Sequence, residues 1–173
     1  AAQTVIAGKD LFQWNHFAVS RTSGVYSLYY NGTRATTVSD STSFADSSVS
    51  VGAHSADNYG VIGYLSDIRI VNGTGLYTDA TLTVPTAPLT AVTNTKLLLN
   101  MADGQAIDSA AQNNITLVAN ADTSTTQKKF GTASLALDGT GDYVTLPYQS
   151  FAPFGTGNLT IEGWVYFTAN DNG

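Results

Sequence analysis

The chain has 173 residues, 43% hydrophobic and only 12% charged, which supports one good-sized core and excludes disorder driven by charge. A net charge of −6 argues against a partner with a phosphate backbone, so no nucleic acid is expected. Cysteine is absent, which removes disulfides, thiolate metal sites and cysteine nucleophiles together, and no apolar run approaches the roughly 20 residues of a membrane span.

In chain order, Phe12–Arg21 reads as a strand, with Phe17 and Val19 on one face and His16, Ala18 and Ser20 on the other. Thr22-Ser-Gly24 turns it into Val25–Tyr30. There Asn31-Gly32 gives a strong hairpin signal, because both residues tolerate the positive φ of a type I′ turn. Residues 39–58 read as a polar loop with one short strand near Val49–Val51. Gly60–Val71 reads as a strand pair, placing Tyr64, Ser66, Ile68 and Ile70 on one face. Leu65, Asp67 and Arg69 take the other, where Asp67 and Arg69 are positioned to pair.

Pro85 and Pro88 then impose an extended linker on 84–96 and exclude a helix, before Leu97-Leu-Leu99 resumes as a buried strand. Residues 100–108 are a polar turn, Ile115–Val118 a short strand and Ala119–Lys128 a loop. Phe130–Asp138 and Asp142–Leu146 read as a hairpin around Gly139-Thr-Gly141. The last strand sets Leu159, Ile161, Val165 and Phe167 against Thr160, Glu162, Trp164 and Tyr166. No helical period appears. The expected fold class is all-β, an antiparallel sandwich or jelly roll. An opening without Met and an end straight after a strong strand suggest a piece of a longer protein.

Lys129–Val144, followed by Gly157–Val165, resembles the opening of a laminin-G-like (concanavalin-A-like) jelly roll. Trp14–Arg21, Tyr29-Tyr-Asn-Gly32 and Gly63–Ile70 resemble its closing strands. The closing blocks come first, and the strands the family places between the Trp164-type and Trp14-type blocks are missing. The resemblance therefore implies residues 1–83 as the closing half of one repeat, 84–99 as linker and joining strand, and 100–173 as the opening half of the next. The alternative is one circularly permuted sandwich over 1–173. The join Gly73-Thr-Gly-Leu-Tyr77 with its Pro/Thr linker resembles the joins in tail-fibre-like structural proteins of marine tailed phages. This implies a virion structural and adhesive module, whose partners are other copies or other virion proteins and a host-surface glycan. The alternative is a calcium-dependent lectin of an extracellular or cell-surface protein.

Glycoside hydrolysis needs two carboxylates flanking one linkage. Glu162 is the only glutamate, and the Glu-x-Asp-x-x-Glu strand of glucanases of this fold is missing, so no enzyme is expected. His16 and His54 stand alone. The resemblance suggests Ca²⁺ in rim loops, with Asp138 and Asp142 as ligands and Asp103 and Asp108 in similar loops. The competing reading of Asp138-Gly139 is plain turn chemistry. Carbohydrate binding would use Trp164, Tyr166 and Trp14 as aromatic platforms, against the competing role of Trp164 in the core. Four Asn-x-Thr sequences, at Asn31, Asn72, Asn114 and Asn158, fit glycosylation acceptors or turns.

Overall fold

The computed structural model describes residues 10–44, 48–53, 60–101, 115–147 and 154–169. His54, Tyr59, Asp103, Asp108 and Asn114 lie outside the described residues, as do both chain ends. The first half holds β1 (Trp14–Thr22), β2 (Val25–Tyr30), β3 (Thr33–Ser39), β4 (Ser48–Val51), β5 (Ile62–Asn72) and β6 (Thr95–Leu99). The second holds β7 (Thr116–Val118), β8 (Asp122–Ser124), β9 (Ser134–Asp138), β10 (Tyr143–Pro147) and β11 (Leu159–Phe167). Among the described residues there is no helix.

The strands form two antiparallel sheets. The larger has eight strands in the order β3-β2-β1-β11-β5-β9-β8, with β6 also on β5, and the smaller runs β4-β10-β7. Strands from both sides of the Pro/Thr linker alternate in the large sheet, since β11 lies between β1 and β5. The inner face of the large sheet offers Leu65, Ile68 and Ile70 from β5, Leu97 and Leu99 from β6 and Leu135 and Leu137 from β9. Val144 and Leu146 of β10 close over them, completing one core. Each such side chain contributes about 1.5–3 kcal/mol by leaving water.

Three expectations change. Gly60–Val71 is not a strand pair: Ile62–Asn72 is one continuous strand. Phe130–Leu146 is not a hairpin, because β9 joins the large sheet and β10 the small one, so Gly139-Thr-Gly141 is a corner between sheets. Leu135 and Leu137 therefore meet Val144 and Leu146 across the sandwich rather than side by side.

Asp67 and Arg69 do not pair. Asp67 sits at φ 53, where β5 carries one residue more than β11 between the pairs Glu162↔Arg69 and Trp164↔Ser66. This bulge puts Leu65 and Ile68 on the same, inner face, which simple alternation forbids. It also brings Ile68 against Gly163, where a side-chain methyl would overlap the Ile68 Cδ1 and lie 3.2 Å from the Asp67 carbonyl oxygen.

Residues 76–90, which run into the linker, form a strap across the outer face of the large sheet. Arg34 N–H donates to the Ala80 carbonyl at 2.9 Å and Leu82 N–H to the Gly32 carbonyl at 2.8 Å. Tyr29 Oη donates to the Asp79 carbonyl at 2.8 Å. The Asn31-Gly32 turn that receives the strap has φ 45 and 84, the left-handed pair its sequence predicts.

Candidate functional site

Beneath the strap lies a layer of buried polar side chains. Glu162 projects from β11 opposite the core and is fully buried. Arg69, its cross-strand neighbour, donates to Glu162 Oε1 through Nε at 2.8 Å and also through one terminal nitrogen. Its other terminal nitrogen donates to the strap carbonyl of Thr90 at 2.6 Å. Tyr77 Oη donates to Oε2 at 2.7 Å. His16 Nε2 stands 3.6 Å from that oxygen, beyond hydrogen-bond reach but close enough for attraction when the ring is protonated.

Burial pushes the Glu162 carboxyl upward. His16, the Tyr77 hydroxyl and the Arg69 guanidinium outweigh that push and hold it below its ordinary value. The same burial, followed by the negative charge of Glu162, pushes the Tyr77 phenol up. Asp67 is raised by burial, against the Ser66 hydroxyl (2.8 Å) and the Leu89 N–H (3.1 Å) that it accepts. Ser20 and Thr160 oxygens accept the Tyr77 and Leu76 N–H groups at 3.2 and 2.8 Å. Two carboxylates, one guanidinium and two hydroxyls thus fix a strap that lacks a ladder of its own. The arrangement ties two layers together and leaves Glu162 out of reach of a polymeric substrate.

Trp164 lies beside this layer and is 4% exposed. Its ring meets His16 edge-on at 5.1 Å and Phe130 at 6.0 Å, and Lys129 Nζ sits 3.9 Å above it. Its faces are occupied by protein.

The other two expected platform residues stand at one end of the same sheet face. Trp14 is opposite Tyr166, and Tyr166 is opposite Tyr64. Their rings meet edge to face with centroids 5.6 and 6.0 Å apart, and all three are half-buried. Tyr64 continues this stripe into a pocket of about 280 Å³ that Asn120, Asp138, Asp142 and Thr168 also line. Tyr64 and Asn120 are not among the candidates that the sequence singles out. Strand alternation had placed Tyr64 with Ile68 and Ile70, and only the bulge separates them.

Asp138 and Asp142 do come together, around backbone donors. Asp142 is buried and accepts the Asn120 and Asp138 N–H groups at 3.0 and 2.8 Å. Asp138 accepts the Asn120 side-chain amide at 2.6 Å and the Thr140 N–H at 2.7 Å, which hold its carboxyl below the usual range. Among the described residues no group of three or more His, Cys, Asp or Glu side chains is placed to hold a metal ion. Asn31 and Asn158, which open two of the glycosylation-type sequences, accept the His16 and Ser23 N–H groups at 2.8 and 3.0 Å. Comparison with protein-family models, curated proteins and solved structures finds no match to this chain.

Proposed function

We propose that the chain is a non-enzymatic adhesive module of a larger, tail-fibre-like particle-surface protein. It is built on a laminin-G-like jelly roll and contacts glycan through Trp14, Tyr166 and Tyr64. The observation that carries this reading is the half-buried aromatic stripe running into a pocket lined by an amide and carboxylates. Sugar rings offer apolar faces to stack on such side chains and hydroxyls to hydrogen-bond with amides and carboxylates. Burial of the chain's only glutamate between Arg69 and Tyr77 supports a non-enzymatic role. A shallow site of this kind binds weakly, and repetition along an array raises avidity by about 10²–10⁴. Its partners are neighbouring copies and other virion proteins. The repeat and permuted readings both accommodate β1–β11–β5 pairing, since related repeats offer one another the same strand edges.

A glycan screen on the immobilised chain tests the proposal, run with and without EDTA. Binding is expected to weaken at least tenfold in Trp14→Ala and in Tyr166→Ala. An empty screen, or retention unchanged in both variants, overturns the glycan reading. Loss of binding in EDTA would move the assignment to a calcium-dependent lectin.

A further inference from the structure

The aromatic stripe is one row of the large sheet. Trp14 is opposite Tyr166, Tyr166 is opposite Tyr64, and Tyr64 is opposite Ala136. Directly opposed residues point to the same face, so the row crosses β1, β11, β5 and β9 in steps of about 4.7–4.9 Å. Its first three side chains are aromatic, with centroids 5.6 and 6.0 Å apart, and its fourth is a methyl group. All four keep part of their surface in water. The drop from Tyr64 to Ala136 makes room: both line the pocket of about 280 Å³, together with Asn120, Asp138, Asp142 and Thr168. Asp122, opposite Ala136 on β8, ends the row with an exposed carboxylate. Donors around the pocket are already engaged. Asn120 gives its backbone N–H to Asp142 and its side-chain amide to Asp138, and Thr168 gives its hydroxyl to the Ile62 carbonyl at 3.2 Å. No lysine or arginine among the described residues lines the pocket, so it offers a ligand acceptors and negative charge.

We propose, resting on the glycan reading of this face, that the row takes a linear, uncharged oligosaccharide laid across the strands. One sugar residue occupies each of the four positions, and Ala136 determines specificity by admitting the last of them to the pocket. A pyranose ring in an extended chain advances by about one strand spacing, so successive residues stay in step with successive strands. The rings of Trp14, Tyr166 and Tyr64 supply apolar contact, and sugar hydroxyls supply the donors that match the acceptors of the pocket. An anionic sugar would set its charge against Asp138, Asp142 and Asp122, which costs binding. An apolar peptide or a lipid chain would cover the aromatic rings and leave the acceptors of the pocket unpaired. A single sugar would meet one ring of the row and forgo the rest.

The test is calorimetric titration of the 173-residue chain with neutral β-1,4-linked oligomers of glucose, mannose and N-acetylglucosamine, from disaccharide to hexasaccharide. In the series that binds, affinity is expected to rise at least tenfold from disaccharide to tetrasaccharide and to stay level to the hexasaccharide. The same tetrasaccharide with carboxylates in place of its hydroxymethyl groups should bind at least tenfold more weakly, and Asp138→Asn should recover part of that loss. Ala136→Phe fills the pocket and should remove the gain from tri- to tetrasaccharide. The length and charge series leave the protein untouched, so they hold even where Ala136→Phe folds poorly. Affinity independent of length, equal binding of the oxidised sugar, or a tetrasaccharide gain that survives Ala136→Phe overturns the proposal. So does retention of other glycans through Trp14 while every neutral linear oligomer fails. In each of these cases the glycan reading itself stands, whereas binding of no glycan at all removes both.

Discussion

Glu162 is a carboxylate without access to water, and its ionisation depends on three neighbours from three separate elements. Removing one partner of a buried pair leaves the other charge uncompensated, at a cost of about 3–5 kcal/mol. Arg69→Ala should lower the unfolding free energy by that amount in urea titration, whereas Arg69→Met combined with Glu162→Leu should recover most of it. If the double variant is no better than the single one, the pair is not the source of the loss. The pH dependence follows from the direction of each shift. The folded carboxyl of Glu162 lies below its ordinary value of 4.5, so its contribution is complete above that value and is lost as pH falls through the folded value. Asp67 runs oppositely: its folded value is raised above 3.8, so its ionisation costs stability as pH rises. Chemical denaturation across the acid range should therefore show a flatter acid limb for Glu162→Gln and a steeper one for Asp67→Asn. Identical limbs would contradict both assignments.

The bulge at Asp67 decides which side chains of β5 reach the core and which reach the strap. It depends on Gly163, so Gly163→Ala should cost about 1–3 kcal/mol through overpacking against Ile68, read as a lowered thermal midpoint. An unchanged midpoint would mean that Ile68 moves aside freely. That dependence also explains why the sequence misled here: alternation is a local rule, and one inserted residue reverses every face beyond it. Strands with a strong apolar face, such as β1, β5 and β11, were legible from their residues. β3, mostly exposed, and β8, three residues long, were not, because edge strands bury too little to leave a pattern. Gly139-Thr-Gly141 announced a reversal correctly, yet nothing local says whether a reversal joins neighbours in one sheet or crosses to the other. The prolines made the linker extended, but docking of the strap that runs into it depends on Ser20, Asp67, Arg69 and Thr160, all distant in sequence. Residue type alone singles out Trp14 and Tyr166, which stand side by side, whereas the burial of Trp164 depends on Lys129 and Phe130 from another loop.

Across the whole molecule, stability rests on pairings between distant parts of the chain. β11 pairs with β1 and β5, β9 pairs with β5, and β10 pairs with β4, so each ladder joins a strand before residue 73 to one after residue 133. Neither side of the linker retains two packed layers alone: without β10 the inner faces of β5 and β6 are open, and without β5 the strands β9 and β11 lose the one that separates them. Fragments 1–99 and 100–173, expressed separately, should each lack a cooperative unfolding transition, because each would expose its half of the core. Mixed in equal amounts, they should co-elute and regain the near-ultraviolet circular dichroism of Trp164 held between His16 and Lys129, which no single fragment can supply. If each fragment instead unfolds sigmoidally on its own and the mixture gains nothing, the two sides are independent domains. Recovery on mixing means that the two sides of the linker recognise one another through the pairing of β1, β11 and β5.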